Sequence, residues 1–161
     1  MDGFRSTWSQ ASATFGDGEP VPGSHFDRSE RLLELQRVVE SADPSSNWTG
    51  TAADEYAVTN RRQAALLGRL AELDRRLATE VDRSAQVVTA GRRDLDVLRA
   101  WVADTAASTP PGNAGDWLRL RIASEGIGRI SEIVGRATAE LNAIGREIGV
   151  IAREYDAVVS D

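Results

Sequence analysis

The chain has no cysteine, no lysine and a single histidine, His25. Without cysteine there can be no disulfide, no thiol nucleophile and no thiolate metal ligand. With one histidine beside a linker, a histidine-based metal site has no second ligand. A carboxylate-rich site in a helical bundle calls for Glu-x-x-His motifs, and none is present. No catalytic, cofactor-binding or metal-binding residue is assigned, and His25 reads as a surface or cap residue. Lysine is replaced throughout by arginine, which reads as compositional bias rather than mechanism. Long apolar runs are also missing. No stretch approaches the roughly 18 residues of a membrane-spanning helix, so no integral membrane segment is expected. Met1–Ser6 lacks the basic start and apolar run of a Sec signal peptide. Net charge is −6, which removes the electrostatic footprint of a nucleic-acid partner.

What is present is helical. A chain of 161 residues, 41% hydrophobic, can bury a core without covalent staples. Phe4, Trp8, Ala11 and Phe15 recur at steps of four, three and four, one face of a short helix. Gly16–Gly23 is a linker of glycine, proline and acid. Asp27 and Glu30 form a capping pattern and open a second helix with an apolar face at Leu32, Leu33, Leu35, Val38 and Val39, ending near Ala42. Asp43-Pro44 and Ser45–Asn47 then turn the chain to Trp48. From Thr51 to Ser108 no proline intervenes, so a helix of roughly 55 residues, about 80 Å long, is expected. Its apolar positions run Leu66, Leu70, Leu73, Leu77, Val81, Ala85, Val88, Leu95, Leu98 and Val102. The heptad alternation breaks between Leu73 and Val88, as in a stutter. Gly68 and Gly91 are weak points, each costing about 1 kcal/mol relative to Ala, and Gly91 is a position where the helix can kink. The arginine pairs at 61/62, 75/76 and 92/93, interleaved with acids, read as solvated surface.

Thr109–Asn113 reverses the chain, and Asn113 or Asp116 can cap the next helix. That helix carries a nearly pure heptad seam from Ile127 and Ile130 through Ile144 and Ile151 to Val158, suited to lying along another helix at a small angle. Glu125–Arg129 and Glu132–Arg136 are spaced as ion pairs on its solvated side. Gly128, Gly135 and Gly149 form a second column at multiples of seven, which reads first as room for a neighbouring helix of the same chain to approach closely and, as the sharper alternative, as a groove for a partner helix. Gly126-Ile127-Gly128 follows no strand and is not a phosphate loop. The expected fold is all-α: an elongated antiparallel helical bundle of two long helices, about 51–108 and 116–159, plus two shorter N-terminal helices. It forms one helical domain over 1–161, divided into 1–22, 27–108 and 116–159.

The organising stretch is Trp48-Thr49-Gly50-Thr51-Ala52-Ala53-Asp54-Glu55-Tyr56. Gly50 permits a sharp turn after Trp48, Thr51 is the expected N-cap with Asp54 three residues on, and Asp54 and Glu55 suit the positive end of the helix dipole. The pattern continues through Tyr56-Ala57, Asn60-Arg61, Leu70-Ala71, Leu73-Asp74-Arg75 and Leu77. Over these roughly thirty residues the chain resembles the EspA/EspE-like family of substrates of type VII (ESX) secretion, with a W-x-G turn between two helices. The resemblance implies a non-enzymatic protein that acts by helix–helix association. It would be cytoplasmic before export, then secreted or held in the cell envelope without a cleaved signal peptide. Trp48, Gly50, Asp54, Tyr56 and Asn60 would be its secretion or partner motif.

In small ESX pairs one partner supplies W-x-G and the other Y-x-x-x-D/E. Here Tyr56 is followed four residues later by Asn60 and Tyr155 by Val159. The missing half is therefore expected from a small EspC-like helical partner or from self-association, in company with the ESX machinery. A partner groove is expected along Gly128, Gly135 and Gly149 and the aromatic face Phe4, Trp8 and Phe15, unless the N-terminal helix fills it. Asn47-Trp48-Thr49 matches a glycosylation acceptor, which the bacterial character of the chain sets aside. The alternative reading is a cytosolic helical adaptor, chaperone or immunity-type protein in which Trp48 plugs the end of the bundle.

Overall fold

A computed structural model describes residues 1–42 and 48–160 of the chain. These form α1 (Asp2–Thr14), a short 3-10 turn (Gly23–His25), α2 (Ser29–Ser41), α3 (Thr51–Ala107) and α4 (Asn113–Ser160). No strand occurs among the described residues, and the fold is the all-α bundle that the heptad patterns require. The 43–47 part of the turn and the Asn47 acceptor pattern lie outside the described residues. The chain divides into two compact units built from non-contiguous segments, 1–20 with 83–144 and 21–82 with 145–161. On α3 the division falls at residues 82 and 83, inside the stretch where the heptad alternation breaks.

Three helix starts depart from the sequence reading. At α2, Asp27 does serve the helix, its Oδ1 accepting from the Ser29 N–H at 2.8 Å, but it does so from one residue before the N-cap position held by Arg28. At α4 the helix begins at Asn113 rather than near 116, so neither Asn113 nor Asp116 is the cap. Gly112 holds that place, with φ +89° and its carbonyl accepting from the Asp116 N–H at 3.1 Å. A backbone angle of that sign is closed to most side chains, so glycine fixes where the helix starts. α3 repeats the device at Gly50, described below.

In the first unit, α1 lies on residues 83–107 of α3 and 113–144 of α4. Phe4, Ala11 and Phe15 are buried together with Leu95, Leu98, Val102, Ala123, Ile130, Ile133 and Ala137. Two glycines make room for the aromatic rings. A Cβ at Gly91 would stand 2.3 Å from Phe15 Cε1, and one at Gly126 would stand 2.8 Å from Phe4 Cε2. Gly91 is thus a socket, and α3 continues through it as helix. Trp8 is half-buried, and its Nε1–H donates to the Leu95 carbonyl at 2.9 Å. Arg92 is not free surface: its guanidinium donates to the carbonyls of Phe15, at 2.7 Å, and Gly18, satisfying the chain where α1 ends. Arg129 pairs with Glu125 at 2.6 Å as the spacing predicts, whereas Arg136 pairs with Asp94 of α3 at 3.6 Å rather than with Glu132.

The second unit joins α2, residues 51–82 of α3 and the last turns of α4. Its apolar centre is small: Leu73, Ile151 and Val158, flanked by half-buried Leu66, Leu70, Leu77 and Tyr155. Polar contacts supply what apolar area does not. The Gly23 N–H donates to Asp82 at 2.7 Å, the Arg28 N–H to Asp74 at 3.1 Å, and Arg76 makes a two-pronged contact with Glu154 at 2.5 and 3.1 Å. Arg76 bridges α3 and α4 through this pair while its side chain stays 37% exposed, so it is a surface residue with a structural contact. Ala64, Ala71 and Ala78 are buried at heptad spacing, and their small side chains let neighbouring backbone come close. At Gly23 a Cβ would stand 1.9 Å from the Ala78 carbonyl oxygen.

Candidate functional site

The start of α3 sorts its residues onto two faces. Ala53 and Asn60 point inward and are buried, with Ala64 a turn later. Thr51, Ala52, Asp54, Glu55 and Tyr56 are exposed. Gly50, not Thr51, is the N-cap: its φ is +113°, and its carbonyl accepts the first helical hydrogen bond from the Asp54 N–H at 3.1 Å. Thr51 is therefore the first helical residue, and no hydrogen bond links its side chain to Asp54 among the described residues. Asp54 stays in the first turn, where its charge complements the unpaired N–H groups.

The Gly50 turn brings Trp48 back over Tyr56. The two ring centroids are 5.2 Å apart and the planes are tilted by 51°, within the range of favourable aromatic pairs. The pair does not plug the bundle. Trp48 is 45% exposed and Tyr56 41%, so each ring packs on the other and turns its remaining surface to solvent. Asn60 explains how the turn is positioned. It is 7% exposed, and its Nδ2 donates to the Val39 carbonyl in the last turn of α2 at 2.5 Å. The same carbonyl accepts the Ala42 N–H at 3.1 Å, so the buried Asn60 amide adds a second donor to it and ties the end of α2 to the third turn of α3.

The remaining expected site residues do not come together as one groove. Phe4 is 2% exposed inside the first unit, and Trp8 is half-buried beside it. Both are taken up by the chain's own core, because α1 lies on the Gly126 side of α4. Gly128 and Gly135 lie on another face, where a Cβ would meet nothing within 4 Å. Gly149 belongs to the second unit and has only the end of Arg153 at 3.9 Å. No segment of the described chain approaches Gly128 or Gly135, so close packing within the chain is not what those glycines serve.

A second constellation escaped sequence reasoning. The Tyr155 hydroxyl donates to Asp74 Oδ1, while Asp74 Oδ2 accepts from the Arg28 N–H. Burial first, and then the neighbouring Asp74 carboxylate, push the Tyr155 hydroxyl far above its ordinary pKa. Tyr155 lacks an acidic residue four positions on, but α3 supplies one in space. The sequence signal was Asp74 itself, an acid between Leu73 and the arginines within the family-like pattern. His25 lies in the 3-10 turn and is exposed. Among the described residues no three acids or histidines are grouped as metal ligands, and no helix is long and apolar enough to cross a membrane.

Comparison with known proteins identifies the family to which this stretch belongs. The EspA/EspE family model matches residues 15–97, slightly more than half of the chain. That span holds Trp48–Tyr56, Asn60, Asp74, Asp82 and the Phe15–Gly91 socket. The ESX-1 secretion-associated protein EspE of Mycolicibacterium smegmatis is 29% identical over 97 residues, which are 60% of this chain and 18% of that protein. The chain thus spans less than a fifth of that relative's length. No solved structure matches the chain. With just over half its length fitting the family model, the chain belongs to the EspA/EspE family.

Proposed function

We propose that this chain is a type VII (ESX) secretion-associated protein that acts by helix–helix association, not catalysis. The ESX route carries it from the cytoplasm to the envelope or the medium. The observation that carries the reading is the Trp48–Tyr56 pair, two large rings in tilted contact with each other and both more than two-fifths exposed at the start of α3. Rings that served packing alone would be expected inside. Family membership and the name of the Mycolicibacterium relative support the secretion context. Trp48, Gly50 and Tyr56 form the recognised surface. Asn60 and Asp54 hold the turn that presents it.

The partner is a helical chain, either a small EspC-like protein or a second copy. The open faces of α4 at Gly128 and Gly135, and separately at Gly149, are where such a helix comes close. A photo-crosslinking residue in place of Tyr56 tests this in cells that carry an ESX system. The proposal expects a discrete crosslinked product containing a helical partner or a component of the machinery, lost when Gly50→Val disturbs the turn. A crosslinking pattern unchanged by deletion of the ESX system would count against it.

A further inference from the structure

The first unit holds a cavity of about 460 Å³ alongside α1, lined by Phe4, Arg5 and Trp8 of α1 and by Arg99, Val102 and Ala103 of α3. Its size falls within the range of small-molecule sites, roughly 300–1,000 Å³. Its floor is apolar and fixed. Phe4 and Val102 are 2% and 1% exposed, and the Trp8 ring is held by its hydrogen bond to the Leu95 carbonyl. Two cations flank this floor. The Arg99 guanidinium lies 4.5 Å from the Trp8 ring centroid, and Arg5 is exposed one residue after Phe4. Neither guanidinium has a carboxylate within ion-pair distance among the described residues, although Asp96 and Asp104 lie on the same stretch of α3.

We propose that this cavity binds a single-chain carboxylate amphiphile, a fatty acid, with its chain on Met1, Trp8 and Ala103 above the buried Phe4 and Val102 and its carboxylate on Arg99 and Arg5. An apolar slot leaves no polar partner for a ligand's tail, so the tail is hydrocarbon. An unpaired guanidinium is a fork of donors shaped for a carboxylate. Charge complementarity therefore selects an acid over an alcohol of the same length. A cavity near the lower end of the usual range takes one chain and not two, which separates a fatty acid from a diacyl lipid. The site lies in a different unit from Trp48 and Tyr56, so it stands or falls independently of the secretion reading.

Isothermal titration calorimetry of the full chain with decanoate and with decanol, both below their aggregation thresholds, tests the assignment. Decanoate is expected to bind saturably, with decanol weaker by about tenfold, the size of effect that charge-assisted hydrogen bonds carry. The double variant Arg5→Gln and Arg99→Gln should erase that difference while leaving decanol affinity unchanged. Ala103→Trp, at an exposed position of the rim, should weaken both ligands without lowering the melting temperature. Equal affinity for acid and alcohol, discrimination that survives in the double variant, or uptake only by anionic diacyl vesicles would each overturn the proposal.

Discussion

The two units use the same pair of long helices and hold them by different means. In the first, α1 delivers Phe4 and Phe15 into space left by Gly126 and Gly91, and they join Leu95, Leu98, Val102, Ile130 and Ile133 in one continuous apolar core. In the second, among the described residues, the buried core cluster is Leu73, Ile151 and Val158, and Asp74, Asp82, Asn60 and the Arg76–Glu154 pair hold the remaining segments. Charge follows the same division. Residues 1–20 and 83–144 carry 10 acids and 9 arginines, whereas 21–82 and 145–161 carry 15 acids and 10 arginines. The second unit therefore bears nearly all of the net negative charge. Most of the family-matched span falls in this polar unit, which also presents the exposed aromatic pair. On the proposed reading, recognition falls where apolar burial is thinnest, and specific hydrogen bonds rather than core volume hold that region.

That contrast can be broken from either side. The largest effect is expected from Phe4→Ala, which should cost about 3–5 kcal/mol as a buried ring is replaced by a cavity. Hydrogen exchange should report the loss in residues 1–20 and 83–144, with the second unit less affected. Asp74→Ala should cost about 1–3 kcal/mol by leaving the Tyr155 hydroxyl and the Arg28 N–H without an acceptor. Here the exchange pattern should be the reverse, with protection lost around α2 and the end of α4.

The pH dependence should be confined to the second unit in the same way. The hydrogen bond from Arg76 holds the Glu154 pKa below its ordinary 4.5, and the hydrogen bonds from Ser29 hold Asp27 below its ordinary 3.8. A lowered folded-state pKa stabilises the fold above the ordinary value, and the stabilisation is lost as pH falls through that range. Tyr155 has the opposite sign: its raised pKa stabilises the fold below pH 10 and that contribution is lost above it. Thermal melting followed by exchange at pH 7 and pH 3.5 should show the second unit loosening first in acid. The smallest effect is expected at Gly128→Ala and Gly135→Ala. Nothing stands within 4 Å of either added methyl, so helix propensity alone should raise stability by up to about 1 kcal/mol each. A melting temperature that falls instead would mean that an unseen contact occupies that face.

Heptad spacing made the long helices and the seam of α4 legible, since Ile130, Ala137, Ile144, Ile151 and Val158 are all buried as that spacing requires. The aromatic face of α1 was legible for the same reason. The helix starts were harder to read. Threonine, aspartate and asparagine advertise caps, but at α3 and α4 a glycine with positive φ takes the position instead. Gly91 read as a weak point because helix propensity is local, whereas its reason is the ring of Phe15, far back along the chain, whose backbone carbonyl accepts from the neighbouring Arg92. The alanine face at 64, 71 and 78 was invisible to a search for large apolar side chains. Tyr155 was searched for an acid along the chain, but its partner Asp74 lies on another helix. The W-x-G stretch was legible as a motif, and only the fold separated its exposed residues, Trp48 and Tyr56 among them, from the buried Ala53 and Asn60.

The central claim is that Trp48 and Tyr56 serve recognition and not folding. The direct measurement is Trp48→Ala, followed for thermal stability in the purified chain and for release into the medium by an ESX-competent cell. The account predicts a melting transition equivalent to within about 0.5 kcal/mol, the ordinary effect of a surface substitution, together with loss of export while the cytoplasmic pool remains. A variant that melts early and disappears from the cytoplasm, or one that is exported like the parent chain, would contradict it.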